Sequence, residues 1–529
     1  MINLISLPAS NFNMPQLENC VMKNILNAFN ICSTHYDLTL LFLQKCINKK
    51  YLTEKYSKYL QNCDKNTIED INNINDTKKI LTDKTKIPHN IFKLNTSFCN
   101  VLKFISNIHN LEWSARNITP KKQLGTVDEL ISYSLNNFTL FNDIFLLQLN
   151  SFKNNDSFYL SIRYAYQIPF AIKLANLIKK NFKQTYIVVG GDYLTQIKKN
   201  ATEILKKTDF DAIVFHGDYE NICNVITKKN YNDCLIKINN TITTYNQSKT
   251  SEINTTLYIP CFDDLCLEKY LSNIKIVPFY LNLGCFHSKC EFCNRYIYYE
   301  KHKLLNLNCI FKKIKDLVQS DKIQGIYFID ECVQFEILEK LSDFLINNNI
   351  KIDWIVETRF QKEFLDFNKV AKLAHSGIKE ISFGMECLSN GLLKKMNKQI
   401  NILQAKNILK NCYLNNIITS VTMMYNYPSE TNFDLRKTLH FLKHFKYIDC
   451  FGLSEFKLAR NSILSKKLNI ENSSSLIIMY KTKLTLTKQN MLKKFYNNKR
   501  ISNYIKKRNE VLYRTQYMYI PKNLISLNR

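Results

Sequence analysis

Short apolar runs and amphipathic stretches alternate along most of the chain and separate three regions. In the first, residues 1–230, Ile2–Leu7 is a strand candidate, mixed helical segments follow, and Asn62–Lys86, rich in Asn, Lys and Asp, interrupts the pattern as an exposed insertion. The pattern then becomes regular. Asp143–Leu149 reads as a buried strand and Ile168–Lys180 as an amphipathic helix; Thr185–Val189 is a second strand, ending in Gly190-Gly191, and Asp211–Phe215 a third. Strands alternating with helices predict an α/β unit with a doubly wound, Rossmann-like parallel sheet, whose ligand crevice lies beyond the carboxyl ends of its strands. The polar stretch Thr227–Thr256 is a linker or an exposed hairpin.

In residues 257–465 a strand-helix rhythm repeats six times, with strands at Val277–Leu283, Gly325–Ile329, Ile352–Glu357, Glu380–Met385, Ile417–Tyr425 and Cys450–Phe456. That is the pattern of a partial (β/α)6 barrel. The remaining 473–529 is Lys- and Tyr-rich, helix-prone and without a motif.

A chain of 529 residues exceeds one ordinary domain, at roughly 100–200 residues each. Its net charge of +28, from 73 basic and 45 acidic residues, invites a nucleic-acid reading. The excess is discounted, because Lys, Asn and Ile are heavily used everywhere and Gly, at 10, is scarce, which points to a general compositional bias and a solvated basic surface. Met1-Ile2-Asn3-Leu4 lacks the basic start of a signal peptide and no run of 18 apolar residues occurs, so a cytoplasmic protein without a membrane span is expected. The 17 cysteines are scattered over a long chain, as reduced thiols in cores are.

One cluster breaks that scatter. Just after the first barrel strand the chain reads Gly284-Cys285-Phe286-His287-Ser288-Lys289-Cys290-Glu291-Phe292-Cys293-Asn294. Three thiolates within nine residues at a strand end can hold three irons of a [4Fe-4S] cubane and leave the fourth open. An open iron can chelate the amino and carboxylate groups of S-adenosylmethionine and pass an electron into its sulfonium, giving a 5′-deoxyadenosyl radical that a barrel mouth would shield from water. The competing reading is a zinc site in which Cys285, Cys290 and Cys293 are completed by His287 or His302, although no second Cys-x2-Cys pair follows. Cys261 and Cys266, around a predicted turn, read as core or incidental thiols.

The segment Leu257-Tyr258-Ile259-Pro260-Cys261-Phe262-Asp263-Asp264, then Tyr270-Leu271-Ser272 and the cysteine loop, resembles the start of the catalytic domain of cobalamin-binding radical S-adenosylmethionine enzymes. The likeness continues in order through Phe328-Ile329-Asp330-Glu331, Trp354 to Arg359-Phe360, Ser382-Phe383-Gly384-Met385-Glu386, Met396-Asn397-Lys398 and Pro428-Ser429-Glu430-Thr431. Residues 143–220 resemble the cobalamin-binding half of the same family through Gln167-Ile168-Pro169, Ile187-Val188-Val189-Gly190-Gly191, Asp211-Ala212-Ile213-Val214, Gly217 and Glu220.

The resemblance implies a [4Fe-4S] cluster on Cys285, Cys290 and Cys293, S-adenosylmethionine on that cluster and cobalamin in the first domain, with Gly190, Gly191, Gly217 and Glu220 at the cobalamin. It places Phe292 beside the adenine, Asp330 and Glu331 near the methionine amine, Arg359 on the methionine carboxylate and Glu386 on the ribose or amine, with Glu430 also in the cofactor-binding set. An electron donor such as ferredoxin or flavodoxin, a small-molecule or peptide substrate and methyl transfer or a related radical modification are implied with it; nucleic acid is not expected. There are departures. Asn426-Tyr427-Pro428-Ser429 lacks the two glycines usual before Glu430, and a left-handed Asn can replace the first; no Asp-x-His-x-x-Gly sequence is present to ligate cobalt; and Tyr219 stands where a second glycine is usual near Glu220. The alternatives are a zinc-stabilised nucleic-acid-binding protein and a degenerate scaffold that holds a cluster without turnover.

Overall fold

The computed structural model describes residues 1–8, 12–83, 91–109, 111–113, 118–121, 124–137, 142, 151–216, 219–246, 254–294, 302–469, 484–499 and 501. The chain forms two compact units that meet in sequence at Ser272/Asn273. Among the described residues no helix is long and apolar enough to cross a membrane.

The first unit is built on a seven-stranded sheet: β1 (Ile2–Ser6), β2 (Ser33–Asp37), β3 (Ser157–Ser161), β4 (Tyr186–Gly190), β5 (Ala212–Val214), β6 (Cys234–Ile238) and β7 (Thr241–Tyr245), in the order β2-β1-β3-β4-β5-β6-β7. The first five are parallel, so the order reverses between β1 and β3, the switch point of a doubly wound sheet. β6 and β7 extend the edge as an antiparallel hairpin, which resolves the polar stretch after Thr227 in favour of a hairpin. Helix α1 (Leu17–Ala28) follows β1, α2 (Ile168–Asn181) lies between β3 and β4 close to the expected range, and α3 (Tyr219–Ile226) follows β5.

The strand beside β4 is Ser157–Ser161, and the candidate Asp143–Leu149 lies outside the described residues. Two expectations change here. The segment read as an exposed insertion carries two helices, Lys65–Asn72 and Ile74–Thr82, because Ile71, Ile74 and Leu81 recur at helical spacing and are buried, and Asp64 caps the first by accepting from Thr67 N. Residues 257–272, expected to open the barrel, pack within the first unit. Cys261 N donates to Cys20 O at 2.9 Å, Asp264 accepts from His35 N at 2.8 Å and pairs with Lys23, and the Tyr270 hydroxyl donates to buried Asp37 at 2.5 Å.

The second unit carries six parallel strands in sequential order, β8 (Ile276–Phe279), β9 (Gly325–Phe328), β10 (Asp353–Thr358), β11 (Ile378–Glu386), β12 (Ile418–Tyr425) and β13 (Cys450–Glu455). Helices α4 (Leu307–Gln319), α5 (Phe335–Asn347), α6 (Phe367–His375), α7 (Ile402–Leu414) and α8 (Asn432–His444) connect them in turn. Each strand matches an expected one to within a few residues. Sequential order with helical crossovers is half of the logic of a barrel; the sheet stays open, since β8 and β13 do not pair. All six strands point their carboxyl ends at one rim. The C-terminal helix α9 (Leu486–Tyr496) packs on α8 within this unit.

Candidate functional site

The rim is organised from β9 outward. Asp330, buried just past that strand, turns its carboxylate onto the backbone of the chain leaving β8, accepting from Leu281 N at 2.9 Å and Asn282 N at 2.7 Å. Burial pushes its pKa up to about 7, against the downward pull of those two N–H groups. Asn282 Nδ2 then holds Gly284 O at 3.0 Å, and Gly284, at φ +75°, makes the turn that starts the cysteine loop.

That loop is pinned on its far side. His287 Nε2 donates to Asn397 O at 2.8 Å, Glu291 N to Met396 O at 3.0 Å, Leu464 N to Glu291 O at 2.8 Å, and Asn294 Nδ2 to Arg460 O at 3.0 Å. Cys285, Cys290 and Cys293 are partly buried on this one loop and none is in a disulfide. A hydrogen bond from Cys332 draws the Cys285 thiol down to about 6; the backbone N–H groups of Ser288 and His287 and the Arg359 charge assist, while burial opposes. Burial pushes Cys290 upward, against the cations Lys398 and Arg359.

The end of β10 brings in Arg359, and the turn after the short helix Asn390–Lys395 brings in Lys398. Arg359 Nη1 lies 3.8 Å from Cys290 Sγ and its Nη2 donates to Lys398 O. The Lys398 ammonium meets Glu386 Oε1 at 2.6 Å with both side chains buried, and it lies 5.9 Å from the centroid of the Phe292 ring. Burial alone would depress Lys398, but the negative charges of Glu386 and Cys290 outweigh it and the net shift is upward. Gly384 lies beneath this pair: a Cβ there would come within 2.8 Å of Lys398 Nζ and 2.9 Å of Glu386 Oε1 and would displace the ends of both side chains. Phe292 packs on an apolar cluster that includes Met396, Tyr427 and Phe456.

The structure therefore gathers Cys285, Cys290, Cys293, Phe292, Arg359 and Glu386 at one rim, while other expected residues serve elsewhere. The Asp330 carboxylate positions the loop, and Glu331 beside it is partly exposed. Arg359, expected on a methionine carboxylate, is turned to a thiol. Glu430 is buried against Lys488 of α9 at 2.8 Å and accepts from Asn426 N at 2.7 Å. The positions of the two missing glycines keep left-handed backbone, Asn426 at φ +65° and Ser429 at φ +70°. Cys332, Lys398 and Lys488 were not singled out as functional. Lys398 stands in the segment Met396-Asn397-Lys398 and Cys332 directly follows Asp330-Glu331, so proximity to recognised segments was the available signal.

Three sulfur donors on one loop, with a hydrogen-bond donor or a cation at two of them, suit a thiolate-ligated cluster. In the competing zinc set His287 would have to ligate through Nδ1, because its Nε2–H is held by Asn397 O; among the described residues neither that set nor the three thiols alone are drawn together as they would be around one metal ion.

In the first unit the glycine pair expected at the cobalamin closes β4. A Cβ on Gly191, at φ +117°, would lie 2.6 Å from the backbone oxygen of Ile162, so the chain's own packing requires this glycine, whereas one on Gly190 would come only within 3.1 Å of the Tyr159 hydroxyl, which need give by a few tenths of an ångström. At the switch point Gln16 Nε2 donates to Leu7 O at 2.6 Å, Gln167 Nε2 to Gln16 Oε1 at 3.2 Å, and Arg163 pairs with Glu18. These residues bond to one another across the switch point. Glu220 lies in the first turn of α3, and Gly217 is outside the described residues.

No known family pattern matches the sequence, and no curated protein matches it. Solved structures do. The cobalamin-dependent S-adenosylmethionine radical enzyme OxsB, with aqua-cobalamin and S-adenosylmethionine bound, aligns with a TM-score of 0.54 at 14% identity over 94% of this chain and 60% of that one. The radical S-adenosylmethionine methyltransferase TsrM from Kitasatospora setae, with cobalamin and a [4Fe-4S] cluster bound, aligns with a TM-score of 0.55 at 11% identity over 89% of this chain and 74% of that one. This chain thus spans 60% of the length of OxsB. With its five parallel strands in the order 2-1-3-4-5 followed by six sequential parallel strands, the chain has the fold of the cobalamin-dependent radical S-adenosylmethionine enzymes.

Proposed function

We propose that the protein is a radical S-adenosylmethionine enzyme whose cluster sits on Cys285, Cys290 and Cys293. The observation that carries this reading is the three-thiol loop fixed at the carboxyl rim of six parallel strands, with Arg359 from the end of β10 at 3.8 Å from Cys290 and Lys398, after the short helix Asn390–Lys395, adding a second cation. When bound, the cluster supplies the electron that cleaves S-adenosylmethionine to methionine and a 5′-deoxyadenosyl radical.

The chain's own residues do the rest. Asp330 fixes where the loop leaves β8, so the three sulfurs hold one relative arrangement. Arg359 and Lys398 offset the negative charge that accumulates on three thiolates. An amino-acid moiety is a zwitterion, and the Glu386–Lys398 pair offers both complementary charges beside the loop. Phe292 and its apolar neighbours give a flat surface for a nucleobase and keep water from the rim.

Methyl transfer to a small molecule or peptide, an electron donor of the ferredoxin or flavodoxin kind and cobalamin in the first unit belong to the same proposal through the fold. Retention of hydroxocobalamin through gel filtration would support its binding and loss of it would count against it.

The test is anaerobic reconstitution with iron and sulfide, followed by S-adenosylmethionine and a strong reductant, with 5′-deoxyadenosine measured beside a Cys290→Ala control. Product in the wild type that disappears in the control is expected. Bound zinc with no cluster would overturn the proposal, and a full cluster that never yields 5′-deoxyadenosine with candidate substrates would leave a non-catalytic scaffold.

A further inference from the structure

We infer that Glu357, on the face of the second sheet turned away from its helices, anchors a substrate that carries an alkylammonium group; this rests on the cluster reading above and names the class of molecule on which the same rim acts.

The two faces of the sheet are told apart by what they touch. Trp354 gives its indole N–H to Ser376 O, directly after α6, and the Phe328 ring lies edge-on to Trp354. Phe383 packs on Phe364, which meets Phe335 of α5. These side chains point to the helices, so Tyr327, Glu357 and Ser382, at alternate positions on the same strands, point the other way. Partners in a parallel ladder share a face: Glu357 is in register with Ser382, and Gly384 with Thr422 and then Gly452. Glu357 and Thr422 are exposed although each lies on a strand flanked on both sides, and a Cβ on Gly452 would meet nothing within 4 Å. The face is open, polar and lined by small residues, where a packed core would show large apolar ones.

Glu357 is also held in place. The Tyr327 hydroxyl on β9 donates to its Oε1 at 2.7 Å, which fixes the carboxylate and leaves the second oxygen to the open face beside Ser382. Among the described residues it makes no ion pair, in a chain with 73 basic residues. A fixed carboxylate without a cation of its own favours a charged donor, and a primary ammonium, with N–H groups to spare, can meet Glu357 and the Ser382 hydroxyl together.

The position along the strand suits the rim. Glu357 precedes Arg359 by two residues, which sets the anchor roughly 7 Å below the rim. Gly384, two residues beyond Ser382 on the same face, lies directly beneath the Glu386–Lys398 pair, so the open face runs up to the cysteine loop. An alkyl chain of a few carbons, tethered by its ammonium, reaches from Glu357 past Gly384 and presents a C–H bond at the rim.

The experiment is a titration of the reconstituted full-length protein by ligand-observed nuclear magnetic resonance, with S-adenosylmethionine present to occupy the rim and no reductant. The probes differ in one charge: pentylamine beside N-pentylacetamide, and N-acetyl-lysine methylamide beside its side-chain-acetylated form. The ammonium probes are expected to bind with Kd on the order of 1 mM and their acetylated forms at least about tenfold more weakly. Glu357→Gln keeps an acceptor for Tyr327 and removes only the charge; it is expected to weaken the ammonium probes about tenfold and leave the acetylated ones unchanged. Tyr327→Phe is expected to weaken them less. The tighter ammonium probe tells a free amine from a peptide lysine, and either supports the assignment. Equal binding of ammonium and acetylated probes by the wild type, equal binding of the ammonium probes by wild type and Glu357→Gln, or no binding of either ammonium probe overturns it. The comparison between wild-type probes stands even if a variant fails to fold. Iron content and 5′-deoxyadenosine, measured on the same wild-type sample, tell these failures from failure of the cluster reading, which would leave the protein without iron or product whatever the probes do.

Discussion

Lys398 and Glu386 offer the sharpest test of how the rim is held. Their charged atoms are 2.6 Å apart and each side chain is 9% exposed, so both ions have left water. At an effective dielectric near 20 their attraction is about 6 kcal/mol, and this is offset by a desolvation cost of several kcal/mol for each ion. Removing one partner leaves the other buried without compensation, which costs about 3–5 kcal/mol, whereas replacing both is close to neutral. Lys398→Met is therefore expected to destabilise the second unit by about 3–5 kcal/mol, Glu386→Gln by a similar amount, and the double variant by at least about 2 kcal/mol less than their sum.

The two tryptophans of the chain make the assay local. With Trp113→Phe as background, the remaining fluorophore is Trp354, fully buried in β10 of the second unit with its indole N–H on Ser376 O at 3.2 Å. Urea unfolding followed by its fluorescence would show the Lys398→Met midpoint lowered by about 1 M or more, for a slope of roughly 3 kcal/mol per M. A Lys398→Met variant within about 1 kcal/mol of its background, or a double variant as costly as the sum, would refute the argument that the pair is a coupled buried unit.

Three further outcomes are expected. The folded state holds the Asp330 proton up to about pH 7, while the unfolded chain releases it near 4, so folding takes up a proton across that window; wild-type stability should fall relative to Asp330→Asn by up to about 4 kcal/mol as pH rises from 4 to 7, and a flat difference in denaturation midpoints would contradict this. Lys488→Met leaves the fully buried Glu430 side chain without its cation and should cost about 3–5 kcal/mol and release α9, which protease cleavage near Leu486 would report. Gly377→Ala places a Cβ 2.1 Å from Ile352 O at φ +105° and should destabilise the second unit by at least about 2 kcal/mol, read as a lowered midpoint in the Trp354 assay.

Much of this architecture was legible from the sequence alone, because what decides it is local. Apolar runs with period two, separated by stretches with period 3.6, state which face each element buries, and six such units in succession produced β8–β13 nearly to the residue. Three cysteines within nine residues after the first of those strands declare a metal-binding loop wherever the loop ends up. β2 escaped notice for the complementary reason: Ser33, His35 and Asp37 face inward and are buried, and a strand with a polar inner face has no apolar alternation to display. Those side chains are tolerable inside only because partners far along the chain satisfy them, Ser6 for His35 and Tyr270 for Asp37.

The same distinction governs the site. The sequence by itself determined that carboxylates, an arginine and three thiols would stand at the carboxyl rim, since each follows a strand. Which of them face one another was decided by the tertiary structure: Asp330 took the backbone at Leu281 and Asn282, Arg359 took Cys290, Lys398 took Glu386 and Lys488 took Glu430. A buried polar group must find a partner, but the periodicity of a strand or helix records only the face on which that group lies; the partner is supplied by whichever other strand end the sheet brings alongside.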